Sequence, residues 1–230
     1  MQNIKKNLDN IKKNIKNSAL KIGKSEKDIT LLGVTKTIDI DRINALKNFG
    51  ISNFGENKAQ ELLNKYPQIN NCNWHFIGHL QTNKVKQIID KVCLIHSVDS
   101  LKLAEEIDKR AKEINKKMDI LIEINIGNEP TKSGIKYEDA QTFAKNILEF
   151  PNISLKGLMC VAPFVENLKH NREFFKKMNN LFIDINEKNK HNICMEYLSM
   201  GMTNDYTVAI EEGSNIVRIG TGIFGKRNYL

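Results

Sequence analysis

Lys36 ends the first apolar run of the chain, Leu31-Leu-Gly-Val-Thr-Lys36. Far downstream lie two segments of small residues, Leu198-Ser-Met-Gly-Met202 and Arg218-Ile-Gly-Thr-Gly222. A lysine amine can condense with a carbonyl carbon. Glycines let backbone N–H groups approach an anion, and neighbouring hydroxyls add donors, so the later segments suit a phosphate. An amine at one end and a phosphate cradle at the other fit a phosphorylated aldehyde such as pyridoxal 5'-phosphate (PLP). On residue type alone Lys36 would be a surface lysine. Its place at a strand end, after a run of uncharged residues, sets it apart.

Other residues carry weaker chemical signals. Arg218 and Gly220 share one side of an extended segment, so the guanidinium can point inward beside the glycine loop. There an always-protonated group can serve a pyridine nitrogen and oppose its protonation. The plainer alternative pairs Arg218 with an acid such as Glu196. His75 and His79 are four apart, but they span a strand end and a glycine, with no carboxylate at a helpful interval, so no metal site is expected. Cys72, Cys93, Cys160 and Cys194 are scattered without CxxC spacing. Cys93 and Cys160 fall in apolar runs and read as small core residues.

These residues need elements to position them. Ile4, Leu8, Ile11, Ile15 and Ala19 recur at steps of three and four, which predicts an amphipathic helix over residues 2–22, stopped by Gly23. Strand-like runs follow near 30–35, 53–55, 74–78, 92–97, 119–126, 154–160, 195–199 and 215–220, with helical periodicity in most gaps. Asp99-Ser100 reads as a helix start. Several strands are apolar on consecutive residues, as when both faces are covered. Eight alternations favour an α/β (β/α)8 TIM barrel with an extra N-terminal helix over an open doubly wound sheet, since no GxGxxG follows the first strand. Residues 1–230 are taken as one domain. In a barrel the strand ends Lys36, Glu56-Asn57, Gly78-His79, Asp99, Asn125, Cys160, Ser199 and Arg218 converge on one mouth.

Bulk properties narrow the classes. Hydrophobic content of 40% and charged content of 27% are ordinary for a globular protein. No apolar stretch reaches membrane-spanning length, and the N-terminus lacks an apolar signal segment, so a cytoplasmic protein is expected. The net charge of +8 invites a nucleic-acid reading. Against it, the lysines are dispersed among acids and asparagines, and Lys5-Lys6, Lys12-Lys13 and Lys116-Lys117 read as exposed helix faces. No specific nucleic-acid partner is expected.

Taken together, the segments resemble the pyridoxal phosphate homeostasis protein family, stand-alone relatives of the alanine racemase N-terminal barrel. The matching stretches are Gly33-Val-Thr-Lys36, Phe54-Gly-Glu-Asn57, His75-Phe-Ile-Gly-His-Leu-Gln81, Ser97-Val-Asp-Ser100, Lys132-Ser-Gly134, Lys156-Gly-Leu-Met159, Leu198-Ser-Met-Gly-Met202 and Val217-Arg-Ile-Gly-Thr221. They occur in family order over nearly the whole chain. The resemblance implies a fold-type III PLP site with Lys36 as the Schiff-base lysine, Asn57 near the ring hydroxyl and Arg218 facing the pyridine nitrogen. It places the phosphate on Ser199 with Met200 and on Gly220 with Thr221. Ile38 and Lys58 depart from the family's common proline and aromatic, without removing an expected contact.

Two functions follow. One is a protein that holds PLP, without substantial catalysis, for cytoplasmic PLP homeostasis, with PLP-dependent apoenzymes as possible acceptors. The other is an amino-acid racemase, which needs an acid/base on each face of the substrate carbon. Lys36 supplies one face. The racemase partner tyrosine comes from a C-terminal β-domain, and this chain ends at Leu230, so the binding role is favoured. Tyr206 and Tyr229 are conceivable substitutes. Lys132 is a candidate second docking amine, and a monomer is expected.

Overall fold

The computed structural model describes residues 2–163, 169–188 and 194–225. Its centre is a closed barrel of eight parallel strands in sequence order. They are β1 (Thr30–Val34), β2 (Asn53–Glu56), β3 (Asn73–Phe76), β4 (Leu94–Val98), β5 (Met118–Ile124), β6 (Ile153–Cys160), β7 (Tyr197–Ser199) and β8 (Ile216–Ile219). β1 closes on β8 with Leu32 opposite Arg218 and Gly33 opposite Ile219. The barrel and its N-terminal helix are therefore as expected. Alternation sends Leu32, Leu94, Leu121, Met159 and Ile216 into one interior cluster. The opposite strand faces pack under the helices in a larger core.

Helix α1 (Gln2–Lys21) presents Ile4, Leu8, Ile11, Ile15 and Ala19 to that core. Full burial of each isoleucine or leucine contributes ~1.5–3 kcal/mol, which is what holds a lysine-rich helix in place. The barrel helices are α2 (Ile40–Asn48), α3 (Ala59–Lys65), α4 (Val85–Ile88), α5 (Leu101–Glu113), α6 (Ala140–Ile147), α7 (Lys169–Lys188), α8 (Tyr206–Glu211) and α9 (Thr221–Phe224). Ser100 caps α5, its hydroxyl accepting from the Leu103 amide. A four-residue helix such as α9 has no stability of its own. Its terminal carbonyls are met from two neighbours. Asn7 of α1 donates to Ile223 O at 3.0 Å, and Arg42 of α2 donates to Phe224 O. The N-terminal helix therefore props the segment that follows β8.

Three local expectations change. Cys160 is buried, but Cys93, just before β4, is exposed while its neighbours Val92 and Leu94 take the buried positions. Lys116 is not on a helix face. It lies past the end of α5, and its Nζ donates to Ile89 O and Val92 O. Glu196 does not pair with Arg218. It sits just before β7 and bonds Lys156.

Candidate functional site

The strand ends open onto a cavity of about 470 Å³, lined by residues that include Lys36, Asn57, Lys132, Arg218, Gly220 and Thr221. Lys36 is half-buried, and its Nζ has no hydrogen-bond or ion-pair partner among the described residues. The backbone on either side of it is firmly held. Buried Lys65 reaches up from α3 and donates to Thr35 O at 2.7 Å and to Glu56 Oε1 at 2.7 Å. The Thr35 hydroxyl donates to the same Glu56 oxygen at 2.6 Å. After Lys36 the chain turns through a left-handed residue, Thr37 (φ 62°), whose N–H donates to Glu61 Oε2 at 2.7 Å. A free amine is thus carried on a fixed backbone. Burial outweighs the bonds from Lys65 and Thr35 and holds the Glu56 carboxyl above the usual range.

Asn57 follows β2, and its Oδ1 is buried with no hydrogen-bond partner. Gly78 allows this placement, since a Cβ there would lie 2.3 Å from Asn57 O. A buried acceptor without a donor is costly, so it marks a place where a ligand donor belongs.

On the far side, two turns meet. Gly201, at φ 92°, swings the chain out after β7. Met202 N and Asn171 Nδ2 both donate to the Asp205 carboxylate, at 2.7 and 2.9 Å. The Gly222 N–H donates to Thr203 Oγ1 at 3.0 Å, tying this turn to the one after β8. Met202, Thr203, Asn204, Gly220 and Thr221 line the cavity here. Thr221 opens α9, where the Ile223 and Phe224 N–H groups both donate to Gly220 O at 2.9 Å.

Arg218 lies below these turns, buried but for the part that reaches the cavity wall. One terminal nitrogen donates to Ser199 O at 2.8 Å and to Ser199 Oγ at 2.7 Å, the other to Cys160 O at 2.8 Å. Burial lowers its pKa from the usual guanidinium value. Nearby Glu123 is buried with an unpartnered Oε2, and burial, then the Asp99 charge, push it up to about 7.

Comparison with known proteins places this geometry. Residues 6–228 match the family model for the alanine racemase N-terminal domain. A pyridoxal phosphate homeostasis protein from Aquifex aeolicus is 44% identical over 211 residues, covering 91% of this chain and 92% of the relative. The chain belongs to the pyridoxal phosphate homeostasis protein family. A crystal structure of an unknown protein from Bifidobacterium adolescentis superposes with a TM-score of 0.89, at 31% identity, covering 97% of this chain and 95% of that one. The PipY protein of Synechococcus elongatus, solved with PLP bound, superposes at 0.79 with 26% identity, covering 86% of this chain and 93% of that one.

Of the residues singled out in the sequence, the structure gathers Lys36, Asn57, Arg218, Gly220 and Thr221 on the cavity wall of this family member. Ser199 and Met200 are not brought there. The Ser199 hydroxyl is engaged beneath, with Arg218 and His96, and Met200 N donates to Ile216 O. Lys132 does line the cavity, paired to Glu129 Oε1 at 2.6 Å and donating to Ala162 O. Thr203, Asn204 and Asn171 were missed. The Gly201 turn was the available signal for the first two; Asn171 comes from α7 and had none. His75 and His79 separate, one bonded to His96 inside the barrel and the other 3.5 Å from Asp99 at the rim. Among the described residues no cluster of metal-binding side chains forms.

Proposed function

We propose that residues 1–230 form one domain that binds PLP at the barrel mouth and holds it for intracellular PLP homeostasis, without substantial catalysis. The observation that carries this reading is an unpartnered lysine amine sharing one cavity with an orphaned amide oxygen, a buried arginine and two small-residue turns. These groups fit the cofactor's parts. When bound, PLP supplies an aldehyde that forms a reversible covalent link with an amine. Lys36 Nζ is the amine, held on a backbone that Lys65 and Glu61 fix. Asn57 Oδ1 accepts the donor that the ring hydroxyl offers. Gly220, Thr221 and the turn at Met202–Asn204 surround the phosphate. Ser199 works through Arg218, and Met200 anchors that turn to β8. Arg218 faces the ring nitrogen, and its positive charge disfavours a proton there, which weakens the ring as an electron sink.

Tyr206, weighed as a second acid/base, is not among the described cavity-lining residues. The Tyr206 hydroxyl is turned to α1, accepting from Asn14 at 2.9 Å, and Tyr229 lies outside the described residues. We further propose a cytoplasmic monomer that hands PLP to apoenzymes. Among the described residues no helix is long and apolar enough to cross a membrane.

The test is borohydride reduction of the PLP-loaded protein, followed by peptide mapping. The label is expected on Lys36 and absent in Lys36→Ala; label elsewhere refutes the site. Incubation with L- and D-alanine, following the enantiomer ratio, is expected to show no turnover. Racemisation at enzyme-like rates would overturn the holding role.

A further inference from the structure

Two histidines in the barrel interior are left unused by this account. Each makes a buried contact that leads toward Arg218. A guanidinium has only donors, so Ser199 Oγ must accept from Arg218. The hydrogen on that hydroxyl then has His96 Nδ1, 3.0 Å away, as its acceptor. With Nδ1 accepting, a neutral His96 carries its proton on Nε2, which lies 3.0 Å from His75 Nδ1. His75 in turn carries its proton on Nε2, directed at Asn53 Oδ1 at 3.4 Å. Asn53 Oδ1 also accepts from the Asn73 amide at 3.1 Å. With the Ser199 proton directed at His96, the donors of both histidine links follow, from the mouth toward the opposite end of the barrel.

We infer that His96 and His75 are positioning residues that hold the Arg218 guanidinium in place and stabilise its charge without a carboxylate. Among the described residues Arg218 makes no ion pair within hydrogen-bonding distance; Glu123 and Asp205 attract it only across space. Along this row of hydrogen bonds each donor points away from Arg218, so the negative ends of the dipoles face the cation. Aligned neutral dipoles stabilise a buried charge while leaving it uncancelled. A carboxylate in their place would neutralise the arginine and remove its effect on a ring nitrogen. The 3.0 Å contact between the two imidazoles is a direct hydrogen bond, too short to admit a metal between them.

The part of this inference that concerns the ring nitrogen rests on the PLP reading above; the direction of the hydrogen bonds does not. Long-range ¹H–¹⁵N correlation spectra of the ligand-free, histidine-labelled protein at neutral pH test the direction. Both His75 and His96 are expected as neutral Nε2–H tautomers, and an Nδ1–H form of either overturns that direction. Titration with PLP then compares His96→Leu with His96→Gln, whose amide retains one acceptor and one donor. His96→Leu is expected to bind PLP about tenfold more weakly with a shifted absorbance band, and His96→Gln within about threefold of the wild type. A folded His96→Leu protein with wild-type affinity and spectrum refutes the positioning role. If His96→Leu does not fold, the tautomers and His96→Gln decide. Wild-type protein that takes up no PLP defeats the functional reading, while the tautomer result still stands or falls by itself.

Discussion

Lys65→Met is the perturbation that tests how the site lysine is held. Lys65 Nζ bridges Thr35 O, Glu56 Oε1 and, at 3.2 Å, Glu61 Oε2. Its side chain is 10% exposed and that of Glu56 is 0% exposed, so the variant strands a carboxylate with almost no access to water. Removing one partner of a buried pair costs ~3–5 kcal/mol. Glu56 already has a raised pKa, with burial the largest cause, so it can take up a proton and place the cost at the lower end. At ~2–4 °C per kcal/mol for a chain of this length, a loss of about 3 kcal/mol lowers Tm by ~6–12 °C. A carboxyl with a raised folded pKa contributes stability that is complete below its ordinary value and lost as pH rises through the folded pKa. The gap between Lys65→Met and the wild type should therefore narrow from pH 8 to pH 5. Glu56→Gln/Lys65→Met removes the stranded charge and should recover part of the loss. Calorimetry and urea unfolding at both pH values are the assay. A single variant within ~1 kcal/mol of the wild type at pH 8, or a double variant worse than it, would refute the reasoning.

Glu123, pushed up to about 7, destabilises the fold as pH rises from its ordinary value through 7. At ~1.4 kcal/mol per pKa unit this amounts to about 3 kcal/mol, so Glu123→Gln should be the more stable protein at pH 8. The same variant should expose an opposite slope from His75, whose pKa burial lowers to about 4, with stability falling as pH drops below 6.5. An unchanged pH profile in urea unfolding would show that Glu123 does not titrate as described. Gly78→Ala places a Cβ 2.3 Å from Asn57 O, and such overpacking costs ~1–3 kcal/mol. Its measured PLP affinity should fall with Tm; a wild-type affinity would remove Asn57 from the site.

Much of this was legible in the chain because each signal was local. Apolar runs such as Leu31–Val34 and the three-and-four spacing of α5 and α7 follow from the geometry of a two-sided strand and a one-sided helix. Lys36 was visible for the same reason, as the first charge after a covered strand. Arg218 was placed by alternation along β8. The turn after β7 was less legible. A left-handed Gly201 redirects the chain, so contact with the cavity moves from Ser199 and Met200 to Met202, Thr203 and Asn204.

By itself the sequence determined the eight-fold alternation, the inward lysine and arginine, and the family, since periodicity and motif order are properties of neighbours along the chain. Tertiary structure alone decided which polar groups meet. Lys65 with Glu56, Asn171 with Asp205, and His96 with both His75 and Ser199 are brought together by barrel closure and strand stagger. The partner of a buried polar group is set by distance in space, and no spacing in the chain encodes it.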